Sequence, residues 1–151
     1  MLRIGLLSDT HGLLRPEARD FLGGSDFIIH AGDIGEPAIL DELAGMAPVT
    51  AVRGNCDRGA WAARLPETAL LRAGGVLVQV IHDRSGLAEH PLQVGVRVVV
   101  FGHSHQPEVD ESAGVLLVNP GSCGPRRFRL PVSVGELMVD GALVSARIVN
   151  L

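Results

Sequence analysis

Five short polar motifs in this chain combine imidazoles, carboxylates and glycines of the kind that hydrolytic or metal chemistry uses. They are Ser8-Asp9-Thr10-His11-Gly12, Ala31-Gly32-Asp33, Gly54-Asn55-Cys56-Asp57, His82-Asp83 and Gly102-His103-Ser104-His105. The last lies within "RVVVFGHSHQP" (97–107), which alone admits three readings. It fits a metal-binding pair, two ordinary polar residues leaving a strand, or a near miss of a serine nucleophile turn with Gln106 where a glycine is needed. Together the motifs offer what a pair of divalent cations requires. Imidazole nitrogens suit Zn, Fe, Mn or Ni, and carboxylate oxygens suit Mn or Mg. Asp9 and His11 are two residues apart, as are His103 and His105; in extended backbone such side chains share a face. Gly12, Gly32, Gly54 and Gly102 flank these residues, where tight turns let backbone approach closely. Two cations about 3.5–4 Å apart could clamp a phosphate and make hydroxide from a bridging water.

Positioning such groups requires a scaffold that brings distant segments together. "LRIGLL" (2–7), "FIIH" (27–30), "VTAVR" (49–53), "VLVQVI" (76–81) and "RVVVF" (97–101) read as buried strands, and each runs into one of the five motifs. Between them, "PEARDFLG" (16–23) and "EPAILDELAGM" (36–46) read as helices, and "SGLAEHPL" (85–92) as room for one short helix. Strand–helix alternation implies parallel strands with right-handed crossovers. Ligands of such sheets bind beyond the carboxyl ends of the strands, so the motifs are expected along one sheet edge. Past residue 110, "GVLLVN" (114–119), "PVSVGELMV" (131–139) and "ALVSARIV" (142–149) read as strands, the last two joined by the turn signal "VDGA". The expected architecture is two sheets packed face to face with helices outside, in one domain over residues 1–151.

Composition narrows the function classes. With 46% hydrophobic and 20% charged residues the chain is expected to be ordered and globular. No apolar run approaches a membrane span, and Met1 leads directly into a strand-like segment with no signal-peptide pattern, so a cytoplasmic protein is expected. A net charge of −4 argues against a broad nucleic-acid surface, "RRFR" (126–129) notwithstanding. Cys56 and Cys123, the only cysteines, are too far apart in sequence for a chelate spacing. The chain has no lysine and no tyrosine, which removes P-loop phosphate binding, Schiff-base chemistry and tyrosine nucleophiles.

The order Asp-x-His, Gly-Asp, Gly-Asn, His, Gly-His-x-His is similar to that of the calcineurin-like metallophosphoesterase superfamily. "SDTHG" (8–12), "GNCD" (54–57) and "NPGSCGPRR" (119–127) resemble its small YfcE-like phosphodiesterases, and the likeness covers nearly the whole chain. The resemblance implies a four-layer αββα sandwich of two mixed sheets with helices on the outer faces. It implies one cation held by Asp9, His11 and His105, a second held by Asn55, His82 and His103, and Asp33 bridging the two. Mn is the first expectation for both cations, with Ni, Zn, Fe or Mg as alternatives. The implied activity is that of a phosphodiesterase acting on a small-molecule phosphoester, with a bridging hydroxide attacking phosphorus in line. Asp33, Asn55 and Cys56 are the residues nearest that chemistry. Homo-oligomers are frequent among such relatives, although nothing in the sequence marks an interface.

Two positions depart from the superfamily pattern. Cys56 stands where many members have a histidine that assists the leaving oxygen, and a thiol is the poorer donor at neutral pH. Asp83 follows His82 where a glycine and a further histidine are common, which bears on the shape of the substrate pocket. A rival reading comes from a retromer coat subunit of the same fold, a protein-interaction scaffold with a degraded metal site. None of the seven ligand positions is lost here, which favours the enzyme. Of the remaining candidates, His30 reads as buried and hydrogen-bonded, His90 as a surface residue and Trp61 as packing. Asn119 reads as a turn residue near the site, and Arg126 and Arg127 as salt-bridged or solvated rather than meeting an anionic substrate.

Overall fold

The computed structural model describes residues 1–90 and 92–151. Ten strands form two five-stranded mixed sheets. The first sheet has the order β10-β9-β1-β2-β3, built from β1 (Leu2–Leu7), β2 (Phe27–His30), β3 (Val49–Ala51), β9 (Ser133–Asp140) and β10 (Leu143–Asn150). The second has the order β4-β5-β6-β8-β7, built from β4 (Thr68–Ala73), β5 (Val76–Ile81), β6 (Val96–Val100), β7 (Glu108–Ser112) and β8 (Val115–Asn119). Strands β1, β2 and β3 are parallel, as are β5, β6 and β8; β9, β4 and β7 pair antiparallel with these cores, and β10 pairs antiparallel with β9.

Alternation along each strand sends one set of side chains between the sheets and the other outward. Ile4, Leu6 and Ile29 face Val78, Val80, Val98 and Val100 in a fully buried central core. The outward residues Leu7 and Ile28 pack beneath helices α1 (Pro16–Leu22) and α2 (Pro37–Ala44) through Ala18, Leu22, Ile39 and Leu43. Both helices begin on the prolines that the sequence places there, where a missing N–H costs nothing. A third short helix, α3 (Ala60–Ala63), brings Trp61 against this same cluster. On the far sheet the outward residues Ile81, Val99 and Phe101 are covered by Leu87 of a 3₁₀ turn, Arg84–Ala88. The fourth layer of the sandwich is therefore thin. The short helix expected over 85–92 is this turn, and position 91 of that span lies outside the described residues.

The hairpin signal "VDGA" performs as expected: Asp140 pairs with Leu143, and Gly141 takes a positive φ of 61° in the two-residue link. Strands β4 and β7 have no counterpart in the sequence reading. Both are edge strands with charged, exposed positions; β7 has no apolar run, and that of β4 is only Ala69–Leu71. Among the described residues no helix is long and apolar enough to cross a membrane.

Candidate metal centre

The five motifs do meet, although not along one edge of one sheet. Three follow β1, β2 and β3 of the first sheet, and two follow β5 and β6 of the second. Within each sheet the loops continue the strand pairing: Asp9 N–H donates to Gly32 O (2.9 Å), His11 N–H to Asp33 O (2.9 Å), and Gly102 N–H to His82 O (2.9 Å). The two rims are joined by the His103 N–H, which donates to Asp9 Oδ2 at 3.1 Å.

The expectation of extended backbone at the Asp9/His11 and His103/His105 pairs is corrected by the structure. Asp9, His11, Asp33, His103 and His105 all have positive φ, between 44° and 73°; the only other non-glycines so placed among the described residues are Ala113 and Phe128. Left-handed backbone costs a side-chain-bearing residue about 1–2 kcal/mol, somewhat less for Asp and His. Concentrating that strain at five of seven proposed ligands is the pattern of a functional site held by its surroundings. The physical reason is that each chain must turn back sharply at the rim, aiming consecutive side chains into one small volume.

Around Asp9 the side chains converge closely. Its Oδ2 accepts from the Ser8 hydroxyl (2.6 Å), whereas its fully buried Oδ1 has no hydrogen-bond partner among the described residues. Three imidazole Nε2 atoms face that oxygen: His105 at 3.4 Å, His11 at 3.7 Å and His82 at 3.9 Å. The Nε2 atoms of His11 and His105 lie 3.3 Å from each other. Asp33 sits between this group and the next. Its Oδ2 lies 3.3 Å from His82 Nε2 and 3.7 Å from His11 Nε2, while its Oδ1 is held by the Cys56 N–H at 2.8 Å. Asn55 Oδ1 then meets His82 Nε2 at 3.0 Å and His103 Nδ1 at 3.2 Å. His103 and Asn55 are the exposed members of the set, and the other nitrogen of His103 lies 3.6 Å from Asp83. All seven sequence-predicted ligands are thus brought together, and Cys56 offers its sulfur near His11 and Asp33.

Electrostatics at the site follow from this crowding. Burial works to raise the Asp9 carboxyl, but His105, His82 and the Ser8 hydroxyl together hold it below the usual carboxylate range. Burial likewise opposes ionisation of Asp33, which His82 and the Cys56 N–H more than offset. Burial pulls His11 below its ordinary value in spite of Asp33 and Asp9. His82 moves the other way: burial disfavours its charge, yet Asp33, Asp9 and the Ala31 carbonyl raise it. The Ala31 carbonyl can only accept, so His82 Nδ1 carries the proton in their 2.7 Å contact and Nε2 is the nitrogen turned to the carboxylates. This is the tautomer a metal-ligating histidine needs. The carboxylates draw a second proton to Nε2 where a cation would compete for it. A buried carboxylate oxygen without a donor, ringed by imidazole nitrogens, is a donor set that fits divalent cations.

Several supporting residues carry no signal as ligands. His30 is fully buried; its Nδ1 accepts from the Gly32 N–H (3.1 Å), so its Nε2–H must donate to Thr10 Oγ1 (3.0 Å), whose hydroxyl donates to Ile34 O (2.7 Å). Burial pushes this imidazole down to about 3. Asp57 ties the loops after β2 and β3 together, accepting from Gly35 N–H (3.0 Å) and Gly54 N–H (2.9 Å). Asn119, fully buried, donates to Gly102 O (3.1 Å) and Ser104 Oγ (3.2 Å) and so braces the turn that carries His103 and His105. Ser104 is therefore a spacer held by Asn119. Close approach makes two glycines obligatory: a Cβ at Gly54 would overlap the Asp33 carboxylate, and one at Gly102 would overlap Ser8 and Asp9. His90 lies at the surface against Glu67 (3.1 Å), Trp61 is packed, and Arg126 and Arg127 are exposed.

Comparison with known proteins agrees with this picture. A probable metallophosphoesterase of Methanothermobacter thermautotrophicus is 37% identical, over 97% of this chain and 91% of its own length. An archaeal phosphodiesterase of known structure superposes with a TM-score of 0.80 at 21% identity, covering 98% of this chain and all of that one (100%). Vps29 of Entamoeba histolytica in complex with Zn²⁺ superposes with a TM-score of 0.76 at 22% identity, covering 99% of both chains. At those identities the structural likenesses show the fold alone. The calcineurin-like phosphoesterase superfamily domain matches residues 2–141, and with that span and the archaeal relative the chain belongs to the calcineurin-like metallophosphoesterases.

Proposed function

We propose that the protein is a metal-dependent phosphoesterase acting on phosphodiesters, with two divalent cations, Mn²⁺ foremost, in the rim site. The observation that carries this reading is the buried, partnerless Asp9 Oδ1 facing three imidazoles beside an Asp33 carboxylate shared by both halves of the site. Asp9, His11 and His105 would hold one cation, and Asn55, His82 and His103 the other, with Asp33 between them. When bound, such cations supply Lewis acidity toward a phosphoryl oxygen and acidify a water at neutral pH.

The chain's own contribution is preorganisation. The Ser8 hydroxyl and the His103 N–H fix one oxygen of Asp9, the Cys56 N–H fixes one oxygen of Asp33, and in each case the second oxygen stays free to ligate. The Ala31 carbonyl fixes the ring of His82. The Cys56 thiol is kept protonated by burial and the Asp33 charge, which push it above its ordinary value, so it is a weak donor to a leaving oxygen. The alternative, a non-catalytic metal-binding scaffold of the same fold, shares every one of these contacts and differs only in turnover. Hydrolysis of bis-p-nitrophenyl phosphate with and without Mn²⁺, by wild type and Asp33→Asn, separates the two. Turnover that needs Mn²⁺ and falls at least about 100-fold in the variant supports the enzyme, by analogy with other losses of preorganised charge. Metal-independent turnover, or an unimpaired variant, contradicts it.

A further inference from the structure

Asp83, one of the two residues that depart from the superfamily pattern, opens onto a feature the metal site does not use. A cleft of about 480 Å³ shares Asn55 and His82 with the candidate centre and runs from them toward Glu67, Glu89 and His90. That volume suits a small organic group. The 3₁₀ turn at Ser85 and Gly86 forms part of its lining, held by Asp83, whose Oδ1 accepts from the N–H (3.0 Å) and hydroxyl (2.9 Å) of Ser85. The charged lining is Arg53 against the carboxylates of Asp57, Glu67, Asp83 and Glu89. Arg53 is already bound to Glu67 at 3.2 Å and to Leu65 O at 3.3 Å, and His90 takes the second Glu67 oxygen at 3.1 Å. Asp57 spends its oxygens on backbone N–H groups. Glu89 has no side-chain partner among the described residues and is exposed along the lining. The cleft is thus net negative, beside a site suited to an anionic phosphoryl group. One end of a diester is drawn to the cations, and the other meets carboxylates.

We propose that this cleft receives the alcohol portion of the phosphodiester and selects an alcohol bearing a cationic, amine-type group over a neutral or anionic one. This rests on the phosphoesterase reading for its orientation. The phosphate places the alcohol within reach of Asp83 and Glu89, where a positive charge gains Coulomb attraction and a second negative charge is repelled.

The test compares p-nitrophenyl phosphorylcholine with p-nitrophenyl ethyl phosphate on the Mn²⁺-loaded protein, together with calorimetric binding of phosphorylcholine and ethyl phosphate, which needs no turnover. The expected preference for the cationic ester is about fivefold or more in kcat/KM, reduced about threefold by Glu89→Gln and weakened by salt. Glu17→Gln on α1 removes the same charge outside the cleft and leaves the ratio unchanged. If neither ester is cleaved but phosphorylcholine binds more tightly than ethyl phosphate, with Glu89→Gln erasing the difference, the cleft assignment stands and the esterase reading falls. Equal or reversed selectivity, in turnover or in binding, overturns the cleft assignment whatever the activity.

Discussion

The buried His30 makes a quantitative prediction about acid stability. Its Nδ1 accepts a backbone N–H, so protonating the ring would set two donors against each other with no water to relieve them. Its proton affinity falls from an unfolded value near 6.5 to about 3 in the fold. Between those values the unfolded chain binds a proton that the native chain refuses, so native stability declines as pH falls. For one such group the loss is roughly 2 kcal/mol at pH 5 and roughly 4 kcal/mol near pH 3, measured from pH 7.5. Other groups overlap with it. His11 is depressed and acts in the same direction; His82 is raised, so its stabilisation is fully present below pH 6.5 and is lost as pH rises through its native value. Asp9 and Asp33 are depressed carboxylates, and their stabilisation is lost only as pH falls below about 4. His30→Asn isolates the term, because its amide oxygen can still accept from Gly32 and does not titrate. Urea unfolding in EDTA at pH 7.5 and pH 5 should show wild type losing about 2 kcal/mol more than the variant. Equal losses in the two proteins would refute the assignment of His30 as a neutral, buried acceptor.

Three further outcomes follow from the site geometry. Gly54→Ala, whose new methyl would displace Asp33, should weaken Mn²⁺ binding by about 10–100-fold while Gly45→Ala, at a position of ordinary φ with no close overlap, should lose far less; calorimetric titration decides. With only the Cys56 thiol at hand as donor, activated aryl diesters should be cleaved far faster than alkyl ones, and Cys56→Ser should stay within about tenfold of wild type. Rates independent of leaving-group pKa would point to an acid elsewhere. Asn119→Ala, which frees the turn under His103 and His105, should lower stability by about 1–3 kcal/mol in urea and reduce kcat more than it changes KM. A variant with wild-type kcat would leave Asn119 a turn residue only.

The residue types and order of the five motifs made the candidate residues legible in the sequence, because each motif follows an apolar strand with groups that have no reason to lie in a core; their assignment to two cations came from the family resemblance. Geometry was less legible. Asp9 and His11 are spaced as in a strand, yet both take left-handed backbone, and nothing in "SDTHG" distinguishes the two conformations. The division of the motifs between two sheets depends on which strands pair. Edge strand β7, "EVDES", has one apolar residue, and β4, "TALLRA", has only the short run Ala69–Leu71 with no apolar–polar alternation, so neither announced itself. Ser8, Asp57 and Asn119 act through hydrogen bonds to partners up to 24 residues away, as in Ser8 with Gly32, and local pattern cannot show such pairings. Ser8 had one clue, its adjacency to Asp9.

On the proposed function, scattered acids and imidazoles from two sheets form one cage for two cations. Anomalous diffraction at the manganese edge, from crystals grown with Mn²⁺, tests it most directly. Two peaks about 3.5–4 Å apart are expected, one among Asp9, His11 and His105, the other among Asn55, His82 and His103, both in contact with Asp33. A single peak, or peaks that do not touch Asp33, would contradict it.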